Sequence, residues 1–104
     1  MLATRTLLPL ILAFLSPAAH AGTVDTSAGA LSINRVIGGL EEPWAIAFLP
    51  DGTALITERG GRLLGFADGV TQPIAGVPDV QAEGQGGLLD VMVPADFDRT
   101  REVW

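Results

Sequence analysis

The chain has 104 residues, with twelve Asp and Glu against six Arg, no Lys and no Cys, for a formal charge of −6. An acidic surface without lysine repels nucleic acid and anionic lipid, so polyanion binding loses its footing. Without cysteine there is no disulfide scaffold, thiolate catalysis or Cys-based metal site.

Met1 to Ala21 carries Arg5, an apolar run from Leu7 to Leu15, the helix-breaking Pro17 and the small-residue pattern Ala19-His20-Ala21. This is the pattern of a secretory signal peptide, cleaved near Ala21 and leaving a periplasmic or secreted protein that begins near Gly22. The apolar run is too short for a permanent span, and a lipid anchor would need Cys where Gly22 stands, so no membrane anchor is expected. The leader contains the only histidine, His20, and its removal leaves five Arg against twelve carboxylates, a charge of −7.

Gly22 to Gly29 is small and polar and is expected to be a mobile lead-in. Leu31 to Ile37 alternates as a strand and is ended by Gly38-Gly39. In Trp44 to Leu49, Trp44, Ile46 and Phe48 fall on one face and Ala45 and Ala47 on the other, with Pro50-Asp51-Gly52 as the turn. Both faces are apolar, which suits a sheet packed between neighbouring sheets, the alanine side allowing close approach. Thr53 to Thr57 follows as a strand, Glu58-Arg59-Gly60-Gly61 as a turn, Arg62 to Ala67 as a strand, Asp68-Gly69 as a turn and Val70 to Ile74 as a strand. The result is a four-stranded meander of about 30 residues, the size and grammar of one β-propeller blade. A small β-sandwich or barrel uses the same grammar.

After a loop from Ala75 to Ala82 comes Glu83-Gly84-Gln85-Gly86-Gly87, running into the apolar stretch Leu88 to Val93, which is expected to be the first strand of a second blade. Glycines at 84, 86 and 87 allow positive φ and close backbone approach, and they leave Gln85 displayed rather than packed. Its amide can donate to carbonyls and accept from hydroxyls, but it cannot abstract a proton. The same stretch also suits an ordinary glycine-rich loop leading into a buried strand. It is not a phosphate loop, because the Lys-Ser/Thr pair is missing. Asp90, inside the apolar stretch, is expected to be a structural carboxylate with a partner. Asp96-Phe97-Asp98-Arg99 lacks the glycine and distal Glu of a calcium loop and is expected to be a turn. Glu102-Val103-Trp104 enters another strand. With no His, Lys, Tyr or Cys after the leader, the chain has no recognisable catalytic base of its own.

Two segments carry a resemblance. Gly39-Leu40-Glu41-Glu42-Pro43-Trp44-Ala45-Ile46-Ala47-Phe48-Leu49-Pro50-Asp51-Gly52, with Leu55-Ile56-Thr57-Glu58-Arg59 and Gly61-Arg62-Leu63, resembles the start of soluble pyrroloquinoline quinone (PQQ)-dependent aldose sugar dehydrogenases of the glucose/sorbosone dehydrogenase family. Gly76-Val77-Pro78, Gly84-Gln85-Gly86-Gly87-Leu88-Leu89-Asp90-Val91 and Asp96-Phe97 resemble the same family further along. The resemblance implies an all-β fold, a six-bladed β-propeller of which this chain supplies about the first blade and the start of the second. At about 40 residues per blade, six blades need roughly 250 residues, so residues 22–104 would be the N-terminal part of such an enzyme. The implied chemistry is oxidation of an aldose at C1 to a lactone, with PQQ as hydride acceptor, Ca²⁺ as an aid and an external electron acceptor. Gln85 would lie beside cofactor and sugar, with Gly84 and Gly86 shaping its loop. The catalytic histidine and the metal ligands would lie beyond residue 104. The alternative is a non-catalytic propeller that binds carbohydrate or protein.

Overall fold

The computed structural model describes residues 21–104, and the expected leader lies outside the described residues except for Ala21. The chain divides into two units, one ending at Arg35 and one running from Val36 to Trp104.

In the first unit, β1 (Gly22–Thr26) and β2 (Gly29–Ile33) form an antiparallel hairpin with Gly22 opposite Ile33 and Thr26 opposite Gly29. The expected mobile lead-in is therefore a strand. It is the partner of the strand expected at Leu31–Ile37, which begins two residues earlier and stops at Ile33. The turn explains the difference. Thr26 Oγ1 donates to the Gly29 carbonyl (2.8 Å) and accepts from the Ala28 N–H (3.2 Å), while Gly29 takes a φ of 115°. Local side-chain bonding of this kind sets a turn that hydrophobic alternation does not reveal.

The second unit holds the expected meander. β3 (Pro43–Phe48), β4 (Ala54–Glu58), β5 (Arg62–Ala67) and β6 (Val70–Ile74) pair in chain order, all antiparallel. Each turn follows from its residues. Gly52 takes φ 88°, its N–H donating to the Leu49 carbonyl, and Asp51 Oδ1 accepts from the Thr53 N–H at 2.9 Å. The hydrogen bonds from Thr53 hold the Asp51 carboxyl below its ordinary value. The small stabilisation this gives the turn is present above the ordinary carboxylate range and is lost as the pH falls through the lowered value. Asp68 and Gly69 both take positive φ, 51° and 76°, the backbone of a two-residue hairpin turn that matches strand twist. The second turn differs from expectation in that Glu58 closes β4 and is buried, with its carbonyl accepting from the Gly61 N–H.

Leu55, Leu63 and Val91 form the core, with Ala45, Ala47, Leu49, Val77, Leu88, Val93 and Val103 packed against it. The alanine side of β3 thus takes the close approach expected of it. The layer it meets is not a sheet, however, but the irregular chain after β6. On the other side Trp44, Ile46 and Phe48 are exposed, Phe48 at 63 %.

Leu88–Val93 is not a regular strand, and only Met92 pairs, exchanging both backbone hydrogen bonds with Trp104 at 2.7 and 2.9 Å. That exchange is one rung of an antiparallel ladder. The stretch loses regular pairing because its first half is tied to β4 and to the turn after it instead. Between the two rung residues lies α1 (Phe97–Thr100), a single helical turn where a non-helical turn was expected. The Asp96 carbonyl accepts from the Arg99 and Thr100 N–H groups, Asp96 pairs with Arg99 at 2.6 Å, and Phe97 is buried. Arg101 ends it in the left-handed region, with its guanidinium 4.6 Å from the Phe97 ring centroid.

The exposed Trp44, Ile46 and Phe48 leave apolar area in water that a neighbouring layer would remove at about 25 cal/mol per Å². Residues 22–104 alone are accordingly expected to melt broadly and to bind a hydrophobic dye. A sharp monomeric transition by calorimetry, with about 0.7 kcal/mol of enthalpy per residue, would contradict this.

Candidate functional site

The glycine-rich stretch folds into a hydrogen-bonded turn, with the Gly86 N–H donating to the Glu83 carbonyl at 2.8 Å. Gly84, at the first central position, has φ 56°, which is the sign that a II′ turn requires there. Gln85 occupies the second central position, exposed at the tip, and its amide makes no hydrogen bond to another described residue. The expected display of this side chain is what the backbone produces.

The glycines at 86 and 87 are required by neighbours rather than by the turn. A Cβ on Gly86 would stand 2.8 Å from the Gln81 carbonyl oxygen. One on Gly87 would stand 2.5 Å from the Arg59 carbonyl oxygen and 2.6 Å from Arg59 Cγ, at a φ of 146°. Gly84 faces open space, so only its φ calls for glycine. The turn is thus pressed directly onto the backbone between β4 and β5.

Thr57 and Arg59 fasten the turn and the chain that follows it, while Glu58 between them ties the region to Glu41 and Arg62. The Thr57 hydroxyl accepts from the Ala45 N–H at 3.1 Å and donates to the Leu89 carbonyl. Glu58, 1 % exposed, accepts from the Glu41 N–H at 2.6 Å and from Arg62 Nε at 2.5 Å. That pairing raises the Arg62 guanidinium above its ordinary pKa. The Arg59 carbonyl accepts from the Leu88 N–H at 2.9 Å, and its guanidinium donates to the Gly84 carbonyl at 2.9 Å. The sequence marks Glu58 and Arg59 only as turn residues. Nothing in the spacing shows that Arg59 reaches 25 residues downstream.

Gln85, Gly84 and Gly86 therefore come together, whereas Asp90 stands apart. It is exposed, outside any strand, and accepts from the N–H of the next residue, Val91, at 2.8 Å. The structural carboxylate expected inside an apolar strand has a partner in the Val91 N–H but is a surface group, because the chain leaves regular strand geometry before reaching it. Asp90 lines a groove of about 490 Å³ with Thr57, Leu63, Leu88, Val91 and Trp104, and Gln85 does not. Among the described residues no three His, Cys, Asp or Glu side chains gather as metal ligands would. The turn can donate hydrogen bonds to a carbonyl or accept them from a hydroxyl through one displayed amide. It can orient a polar ligand and cannot deprotonate it.

A family model described as Glucose / Sorbosone dehydrogenase matches residues 40–104. Aldose sugar dehydrogenase YliI of Escherichia coli (strain K12) is 53 % identical over 68 residues, covering 62 % of this chain and 18 % of that protein. The uncharacterized protein slr1608 of Synechocystis sp. is 48 % identical over 79 residues, covering 66 % of this chain and 19 % of that protein. Among solved structures, one glucose dehydrogenase superposes with a TM-score of 0.58 at 56 % identity, over 62 % of this chain and 21 % of its own. A second does so with 0.61 at 54 %, over 65 % and 21 %. The chain thus spans about a fifth of the length of the relatives it matches.

The glycine geometry yields a ranked expectation for the full-length protein. Gly84→Ala, with room but an unfavourable φ, should cost about 1 kcal/mol. Gly87→Ala, which adds a clash with the Arg59 backbone, should cost about 3 kcal/mol or more. Urea unfolding of the two variants checks the order, and equal losses would contradict the close packing.

Proposed function

This chain belongs to the glucose/sorbosone dehydrogenase family, and on that premise we propose that the whole protein is an exported, PQQ-dependent oxidoreductase that converts aldose sugars to lactones. The antiparallel four-stranded sheet matches the first blades of a β-propeller member of that family. The observation that carries the reading is the exposed amide of Gln85, held at the tip of a turn whose backbone is anchored on both sides. A displayed amide on a rigid base is what positioning of a polar, planar cofactor and a polyhydroxylated substrate requires.

The turn fits PQQ as a hydrogen-bonding neighbour, since the cofactor presents carbonyl oxygens and the amide NH₂ offers two donors. When bound, PQQ supplies the two-electron acceptor. Gln85 would hold a carbonyl or a sugar hydroxyl at a set distance, and the exposed turn leaves its amide reachable from solvent. Proton removal needs a base from a different part of the protein, as does any calcium site, because the described residues gather no ligand cluster. No step is assigned to calcium.

Gln85→Ala in the full-length, PQQ-reconstituted protein is expected to lower kcat/KM between about threefold and a hundredfold, the range for a lost neutral hydrogen bond up to one that leaves a buried partner unpaired. The melting temperature should hardly move, because an exposed side chain contributes little packing. Steady-state dye reduction with an aldose, beside a thermal melt, checks both. Unchanged kinetics would return the turn to a purely structural role.

A further inference from the structure

We propose that Arg59 is a positioning residue for Gln85, acting through the backbone of the turn. The inference rests on the reading of Gln85 given above. The Arg59 side chain is 20 % exposed, and its guanidinium spans two partners, with one nitrogen 3.3 Å from Glu42 Oε2 and the other donating to the Gly84 carbonyl at 2.9 Å. Its own backbone is fixed on both sides. The Arg59 N–H donates to the Glu42 carbonyl at 3.0 Å, and the Arg59 carbonyl accepts from the Leu88 N–H at 2.9 Å. Gly87 lies against Arg59 Cγ and carbonyl oxygen so closely that no Cβ fits between them. Arg59 thus touches the residue before Gln85 and the second and third residues after it.

Among the described residues it is also the side chain that hydrogen-bonds to the turn. With the Arg59 backbone bonded at both its N–H and its carbonyl, the planar guanidinium sets where the Gly84 carbonyl lies, and the exposed Glu42 carboxylate adds a weaker second hold on the fork. With that carbonyl fixed, the turn cannot rotate about its ends. The direction of the Gln85 side chain follows from the backbone that carries it.

The test is a double-mutant cycle in the full-length protein with Arg59→Met and Gln85→Ala. Met keeps the stem that packs on Gly87 and removes both guanidinium hydrogen bonds. Arg59→Met is expected to lower kcat/KM by about three- to thirtyfold. In the Gln85→Ala background the same change should cost less than about twofold, because the group being positioned is gone. Hydrogen exchange of the protein without cofactor gives a second readout. The Gly86 and Leu88 amides should exchange roughly tenfold faster in Arg59→Met, with the amides of β4 and β5 unchanged. Arg59→Lys, which keeps charge and stem but not the fork, should behave like Met, and it replaces Met in the cycle if that variant fails to fold. Losses that add in the double variant, or faster exchange spread evenly over β3 to β6, would overturn the proposal and leave Arg59 a general stabiliser. If Gln85→Ala is itself kinetically silent, the reading of Gln85 fails and this inference falls with it. If Gln85→Ala is impaired and Arg59→Met is not, only the role of Arg59 falls.

Discussion

The second unit depends on the polar end of β4 and the residue after it, where Thr57, Glu58 and Arg59 in succession each bind two or more separated parts of the chain. Thr57 joins β3 to Leu89, Glu58 joins Glu41 to Arg62, and Arg59 joins Glu42 to Gly84 and Leu88. Thr57 and Glu58 are both 1 % exposed, and a polar group so buried costs about 1 to 3 kcal/mol, more if charged, when left without partners. Every partner must therefore be present together. The bonds of Thr57 and Arg59 specify where the chain after β6 must lie, and those of Glu58 hold the lead into β3 and the start of β5 beside it.

The apolar core then fills in around a path already set by hydrogen bonds. Leu55 and Leu63 on adjacent strands meet Val91 from the downstream chain, and Ala45 and Ala47 are small enough to let Leu88, Val93 and Val103 come near the sheet. The glycine-rich turn gains its rigidity from this arrangement. Gln85 sits on a loop, but the loop is pressed onto the most firmly held part of the blade, with Gly87 in contact with the Arg59 backbone. A side chain on such a base can be exposed and still point one way.

Much of the meander is legible in the residues because its determinants are local. The alternation in Trp44 to Phe48, the Asp51-Gly52 and Asp68-Gly69 turns and the short intervening strands each depend on neighbours within a few positions. Display of Gln85 is legible for the same reason, since Gly84 acts through its own positive φ and Gly86 through the space beside it, where a Cβ would meet the Gln81 carbonyl five residues back. The first strand of the hairpin at Gly22–Ile33 is missed because Gly22–Thr26 offers little hydrophobic contrast, and the turn is made by a threonine hydroxyl. The stretch Leu88–Val93 misleads because strong apolar character satisfies either a strand or a core segment, and pattern alone does not separate the two.

By itself, then, the sequence determined an all-β meander, the order and approximate limits of its four strands, and the identity of the displayed amide, all of which follow from period, turn chemistry and glycine, while the propeller came from the family resemblance. The family resemblance added the chemistry that the amide would serve. Only the tertiary structure decided that Glu58 is buried, that Asp90 is at the surface, that Leu88–Val93 forgoes regular pairing, and that Arg59 holds the turn. Each of these turns on which distant groups share hydrogen bonds, as Arg59 does with a carbonyl 25 residues away. Such pairings leave no periodic trace along a chain, because they are set by the folding of one segment against another.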